Sequence, residues 1–234
     1  MVNKFGTAGD RIPVTSGSVW TVGPQHTFIC GDLLDDENPL WELLPSHDVK
    51  FQMTDPPWNN QIGRLFRTMT GVDGPAGNEV NVQEVWDRML TAQVTGYYAI
   101  SIKEEAWLCE RIKHAGGQVI GSWGGTYARS TRNLRYVAAE MEPGSLPLVE
   151  PLNYAVDCGV SPHFFDIVLS YLMNTGYITE DSTVLDTCVG LGDSVQAAAR
   201  LGLGTLSNEL GDRRLANAIE KVSKVVNHQP ERII

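Results

Sequence analysis

The feature that most constrains this chain is its alternation of short β-type runs with segments of helical period. The runs are His26–Cys30, Val49–Thr54, Tyr97–Ile102, Gln118–Trp123, Tyr136–Glu140, Thr183–Asp186 and Thr205–Asn208, seven in all. Between them, Val82, Val85, Trp86 and Met89 recur at intervals of three and four. Residues 104–115 repeat that pattern and stop at Gly116-Gly117, and Arg213–Val226 puts Leu215, Ala218, Ile219, Val222, Val225 and Val226 on one face. Strands separated by helices pair in parallel, and the helices cover the sheet. The expectation is an α/β fold with a seven-stranded, mostly parallel sheet. Two stretches, Asn59–Gly77 and Pro143–Gly159, read as irregular loops, which at such lengths are usually functional.

The 234 residues show no repeat, low-complexity tract or linker, so residues 1–234 are expected to form one domain. A hydrophobic share of 42% excludes disorder by poor burial. The net charge of −10 excludes a protein that coats nucleic acid by bulk charge. Cys30, Cys109, Cys158 and Cys188 form no CxxC pair and no metal spacing, and read as reduced thiols of a cytoplasmic protein without a metal. No apolar run approaches the ~18 residues of a membrane span.

Two turns carry chemistry. Asp55-Pro56-Pro57-Trp58 directly follows the run Val49–Thr54. In an open α/β sheet, ligands sit outside the carboxyl ends of the strands. The prolines have fixed φ and no N–H, so the carbonyls here are available as acceptors. A carboxylate and a neighbouring carbonyl can hold both hydrogens of an amino group, and Trp58 offers a flat surface on which a ring can stack.

The second turn is Asp186-Thr187-Cys188-Val189-Gly190-Leu191-Gly192, after the run that starts at Thr183. Glycines at a strand-to-helix turn admit a close-lying cofactor. Glu209 lies 19 residues beyond Gly190, near the usual step to an acid that holds ribose hydroxyls. The dinucleotide GxGxxG pattern is missing, and Asp193 at the helix start would repel a pyrophosphate. A ribose-bearing cofactor without phosphate there suggests S-adenosyl-L-methionine.

Together these motifs resemble the permuted, β-class-like DNA amino-methyltransferases, in which the catalytic motif precedes the cofactor motif. The family's D-P-P-[YW] matches Asp55–Trp58, and its D-x-F-x-G-x-G matches Asp186–Gly192, with Cys188 in place of the aromatic. The segment from Trp20 to Cys30-Gly31-Asp32 is similar to the opening of phage and plasmid adenine-N6 methyltransferases. Ser161-Pro162-His163-Phe164 resembles the family's proline-bearing cofactor helix, and Asn208-Glu209-Leu210 its ribose acid.

The resemblance implies a Rossmann-like methyltransferase fold that takes S-adenosyl-L-methionine and transfers its methyl group to adenine N6 in DNA. Cytosine N4, RNA adenosine, or a non-catalytic DNA-binding subunit are the alternatives. It gives Asp55, Pro56, Pro57 and Trp58 to catalysis. It gives Asp32, Pro162, His163, Phe164, Asp186, Cys188, Gly190, Gly192, Glu209 and Leu210 to the cofactor. DNA is the implied partner, a homodimer stays open, and neither membrane nor metal is called for.

From Arg111 to Ala139 there is no acid, and five bases give this window +5 while the rest of the chain carries −15. Arg64, Arg67, Arg129, Arg132 and Arg135 are the candidate phosphate contacts, with Asn133 as a base reader. Target recognition is expected in small loops around residues 59–80 and 124–160.

Overall fold

The computed structural model describes residues 11–57, 60–70, 82–92, 94, 96–101, 105–127, 133–147, 155–156 and 162–234. Their strands are β1 (Val19–Val22), β2 (His26–Cys30), β3 (Val49–Thr54), β4 (Gly96–Ser101), β5 (Gln118–Tyr127), β6 (Asn133–Glu140), β7 (Ala155–Val156), β8 (Thr183–Asp186), β9 (Gly204–Glu209) and β10 (Pro230–Arg232). The helices are α1 (Pro39–Leu43), α2 (Asn60–Thr70), α3 (Val82–Leu90), α4 (Glu105–His114), α5 (Pro162–Asn174), α6 (Asp193–Arg200) and α7 (Asp212–Val226).

The strands form one sheet in the order β10-β1-β2-β9-β8-β3-β4-β6-β5-β7. Its five central strands, β2, β9, β8, β3 and β4, are parallel, and antiparallel pairs flank them on both sides. All seven expected runs are strands of this sheet. Ten strands, rather than seven, lie among the described residues, because β1, β7 and β10 add short pieces at the margins.

Alternation along the strands explains how both faces are buried. Phe51 and Met53 of β3 and Val184 of β8 pack with Phe164, Val168 and Leu172 of α5 on one face. Leu185 of β8 and Leu206 of β9 point the other way, into a cluster with Val85, Trp86 and Met89 of α3 and Leu108 and Ile112 of α4. Leu215, Ala218, Ile219 and Val222, expected along one face of the last helix, pack on Phe28 and Cys30 of β2. A fully buried side chain of this size contributes about 1.5–3 kcal/mol.

Residues 60–70 correct the loop expected at Asn59–Gly77: they form the helix α2. Ile62, Leu65, Phe66 and Met69 have the spacing that a helix requires. The remainder of that loop, and most of the one after Pro143, lie outside the described residues.

The strand order places the site. From β8 the chain passes through α6 to β9 on one side, whereas β3 lies against β8 on the other and continues toward β4. The β8/β3 boundary is therefore a topological switch point, where crossovers diverge and leave a crevice at the carboxyl ends.

Candidate active site

A pocket opens at that crevice, with about 570 Å³ of empty space, partly open to solvent. Four of the five central strands contribute residues at or just beyond their ends. Gly31 and Asp32 follow β2, Glu209 and Leu210 end β9, Thr187 and Cys188 follow β8, and Asp55 and Pro57 follow β3. Six of the expected catalytic and cofactor residues thus share one cavity: Asp32, Asp55, Pro57, Cys188, Glu209 and Leu210.

The turn after β8 is built around two acids. Asp186 is buried, and its carboxylate accepts the Cys188 N–H at 3.0 Å and the Ser194 hydroxyl of α6. Burial pushes its pKa up to about 7; hydrogen bonds from Ser194, the Cys188 N–H and Thr54 oppose the rise, and the nearby charge of Asp55 adds to it. Gly190 and Gly192 stand at φ +57° and +85°, where a side chain is strained. A Cβ on Gly192 would fall 2.6 Å from the Ala218 Cα, so this glycine lets α7 close onto the turn. Asp186, Gly190 and Gly192 form the wall behind the pocket instead of its lining.

Glu209 is held by the turn that it faces. Its Oε2 accepts the Gly190 N–H at 2.7 Å and its Oε1 the Gly211 N–H at 3.0 Å, while Arg214 of α7 stands 3.7 Å away. A carboxylate has about four acceptor positions, so two remain for hydroxyl donors. Beside it, Asn208 links three strand ends. Its side-chain oxygen accepts from Asn38 at 2.9 Å, and its amide donates to the Gly31 carbonyl at 3.1 Å. A Cβ on Gly31 would meet the Asn38 amide at 2.8 Å, so any other residue here would have to displace that bonded side chain.

Next to Asp55, Thr187 accepts from the buried Gln52 amide at 2.8 Å. Cys188 has its thiol pKa raised by burial and by the charges of Glu209, Asp186 and Asp55, which keeps it protonated and a poor nucleophile.

Other expected residues fall elsewhere. Phe164 is fully buried in the core beneath β3 and β8 and is not among the residues that line the pocket. Pro162 and His163 begin α5. Arg67, expected on phosphates, is buried, lines the pocket and pairs with Asp32. Arg64 of the same helix is exposed. Asn133 and Arg135 belong to β6. Trp58, Arg129 and Arg132 lie outside the described residues.

The acid-free window is less basic in space than in sequence. Arg111 pairs with Asp87 at 2.6 Å and Lys113 with Glu110 at 3.2 Å, and both acids come from outside the window. Asp193, read as repelling phosphate, is itself paired with Lys221 at 2.5 Å. Sequence reasoning missed the pocket roles of Thr187, Asn208, Arg67 and Arg214. Arg214 was the most accessible of these, five residues past Glu209 at the start of a helix.

No group of three or more His, Cys, Asp or Glu that could hold a metal occurs among the described residues. No described helix is long and apolar enough to cross a membrane.

No protein-family model matches the sequence, and no curated protein matches it either. Solved structures do match. M1.HpyAVI superposes with a TM-score of 0.58 at 12% identity, over 85% of this chain and 99% of that one. Its complex with S-adenosyl-L-methionine gives 0.57 at 12%, over 84% and 99%. TTHA0409 of Thermus thermophilus, which carries a provisional assignment as a DNA modification methylase, was solved with S-adenosyl-L-methionine. It gives 0.56 at 16%, over 85% and 93%. The fold is therefore an α/β fold with a mostly parallel sheet, shared with structures that hold S-adenosyl-L-methionine.

Proposed function

We propose that this protein is a DNA methyltransferase that uses S-adenosyl-L-methionine to methylate the N6 amino group of adenine. The observation that carries the reading is that Asp55 and Pro57 after β3 and Glu209 at the end of β9 open onto one pocket at the switch point. Two functions are thereby set side by side, an amine acceptor and a ribose acceptor.

The pocket suits this cofactor. Its charged lining comprises Asp32, Asp55 and Glu209 against Arg67 and Arg214, which leaves an excess negative charge for a cationic sulfonium. Bound there, the cofactor supplies an electrophilic methyl group.

The chain's own residues do the rest. Asp55 and the Pro56 carbonyl accept the two amino hydrogens of the target base, which draws the nitrogen lone pair out of conjugation and aims it into the pocket. Glu209 accepts the ribose hydroxyls. Trp58 stacks on the base, which must leave the duplex for its nitrogen to reach the pocket. Rate comes from positioning, because transfer to a well-aligned nucleophile needs neither metal nor covalent enzyme intermediate. Arg64, Arg129, Arg132 and Arg135 contact phosphates, so DNA affinity falls steeply with salt.

Incubation with labelled S-adenosyl-L-methionine and duplex DNA of varied sequence, followed by nucleoside analysis, tests this reading. N6-methyladenine is expected. N4-methylcytosine as the product would reassign the base, and no labelled nucleoside under any condition would overturn the activity.

A further inference from the structure

Arg67 lies on α2, and its Nη2 is 2.5 Å from Asp32 Oδ2, with side-chain exposures of 8% and 23%. The other carboxylate oxygen, Oδ1, accepts the Leu34 N–H at 3.1 Å. Both oxygens are thus fixed in direction, and each keeps a lone pair. An ionised carboxylate accepts hydrogen bonds and gives none, so the Asp32 edge of the pocket welcomes an amino group and rejects a carbonyl.

The sheet says what reaches that edge. Across the carboxyl ends, the order β2-β9-β8-β3 sets out Asp32, Glu209, Thr187 with Cys188, and Asp55 in a row. Neighbouring strands are about 4.8 Å apart. A nucleoside whose ribose rests on Glu209, and whose reactive end points toward Asp55, has only the β2 end left for its base.

Resting on the cofactor site proposed above, we infer that Arg67 is a positioning residue. It holds Asp32 in the orientation that accepts the exocyclic amine of the cofactor's adenine. The same ion pair seats α2, whose first residue, Asn60, lies five positions after Asp55. Recognition of the cofactor's base and seating of the helix beyond the catalytic turn are therefore coupled, and each stabilises the other by the same factor.

The test is calorimetry with S-adenosyl-L-methionine and with adenosine on wild type, Arg67→Met, Arg67→Lys, Asp32→Asn and the Asp32→Asn/Arg67→Met double variant. Thermal melts and amide exchange over residues 60–70 accompany it. Arg67→Met is expected to weaken both ligands by about tenfold, the loss of one charged hydrogen bond. Arg67→Lys should fall between it and wild type. The double variant should bind less weakly than the product of the two single losses, because both substitutions act on one contact. S-adenosyl-L-methionine should slow exchange over residues 60–70 in wild type, with the effect reduced in Arg67→Met.

A folded Arg67→Met with wild-type affinity, a loss seen for S-adenosyl-L-methionine but not adenosine, or fully multiplicative losses would each overturn the inference. Should Arg67→Met fail to fold, wild-type affinity in Arg67→Lys would overturn it equally. Wild-type protein that binds neither ligand would overturn the cofactor site as well. Tight binding by wild type and Arg67→Met alike would leave that site standing and remove only the role of Arg67.

Discussion

Asp55 and Asp186 stand at the ends of adjacent central strands, β3 and β8, yet their surroundings differ. Asp186 is buried, bonded to the turn it belongs to and raised to about 7. Asp55 is half-buried and lines the pocket. The difference comes from the residues next along the chain. After Asp186, the Cys188 N–H and a serine of α6 turn back onto the carboxylate. After Asp55 come two prolines, which have no N–H to offer. One acid organises its turn; the other faces the pocket.

Three sets of substitutions would break or sharpen this contrast. The largest effect is expected at Asp55. Asp55→Ala should lower methyl transfer by about a hundred- to a thousand-fold, the cost of losing one positioned electrostatic partner. Its melting temperature should stay near that of wild type. A large drop in melting temperature would show that Asp55, like Asp186, holds its turn together.

The two glycines of the β8 turn come next. Gly192→Ala places a Cβ against the Ala218 backbone at φ +85° and should cost about 2 kcal/mol or more in denaturant unfolding. At Gly190 the Cβ meets only the guanidinium end of Arg214, at 2.7 Å. Gly190→Ala should therefore cost about 1 kcal/mol and show itself mainly as weaker cofactor binding. Equal stability losses would mean that Arg214 is held as rigidly as the α7 backbone.

The remaining test is a pH dependence. Burial raises Asp186 from 3.8 to about 7, so between those values the folded protein holds a proton that the unfolded chain releases. The stability that Asp186 contributes is full below about 4 and declines as pH rises to about 7. Asp186→Asn should remove this decline. The difference in unfolding free energy between wild type and variant should fall across that window, and a flat difference would place the Asp186 carboxylate in a wetter site than the one described.

The sheet was largely legible in the sequence because short β-type runs end at turn residues and alternate with segments of helical period. His26–Cys30, Val49–Thr54 and Thr183–Asp186 coincide with their strands residue for residue. Two of the three missed strands lacked that signature, whereas Val19–Val22 is apolar and buried. Pro230–Arg232 is an exposed edge of polar residues, and Ala155–Val156 is too short to show a period. At 60–70 the helical spacing was present, but Gly63 and the preceding Asn59-Asn60 argued for a loop.

By itself, the sequence determined which residues end the central strands, since strand period, proline and glycine act locally. It therefore placed Asp32, Asp55, Asp186 and Glu209 at turns. Tertiary structure decided which of these acids line the pocket and which is held within its own turn. Arg67 reaches Asp32 across 35 residues, and Asn208 joins ends of strands far apart in the chain. Such pairings depend on strand order, and strand order is set by how helices pack over the whole sheet, which no local pattern encodes.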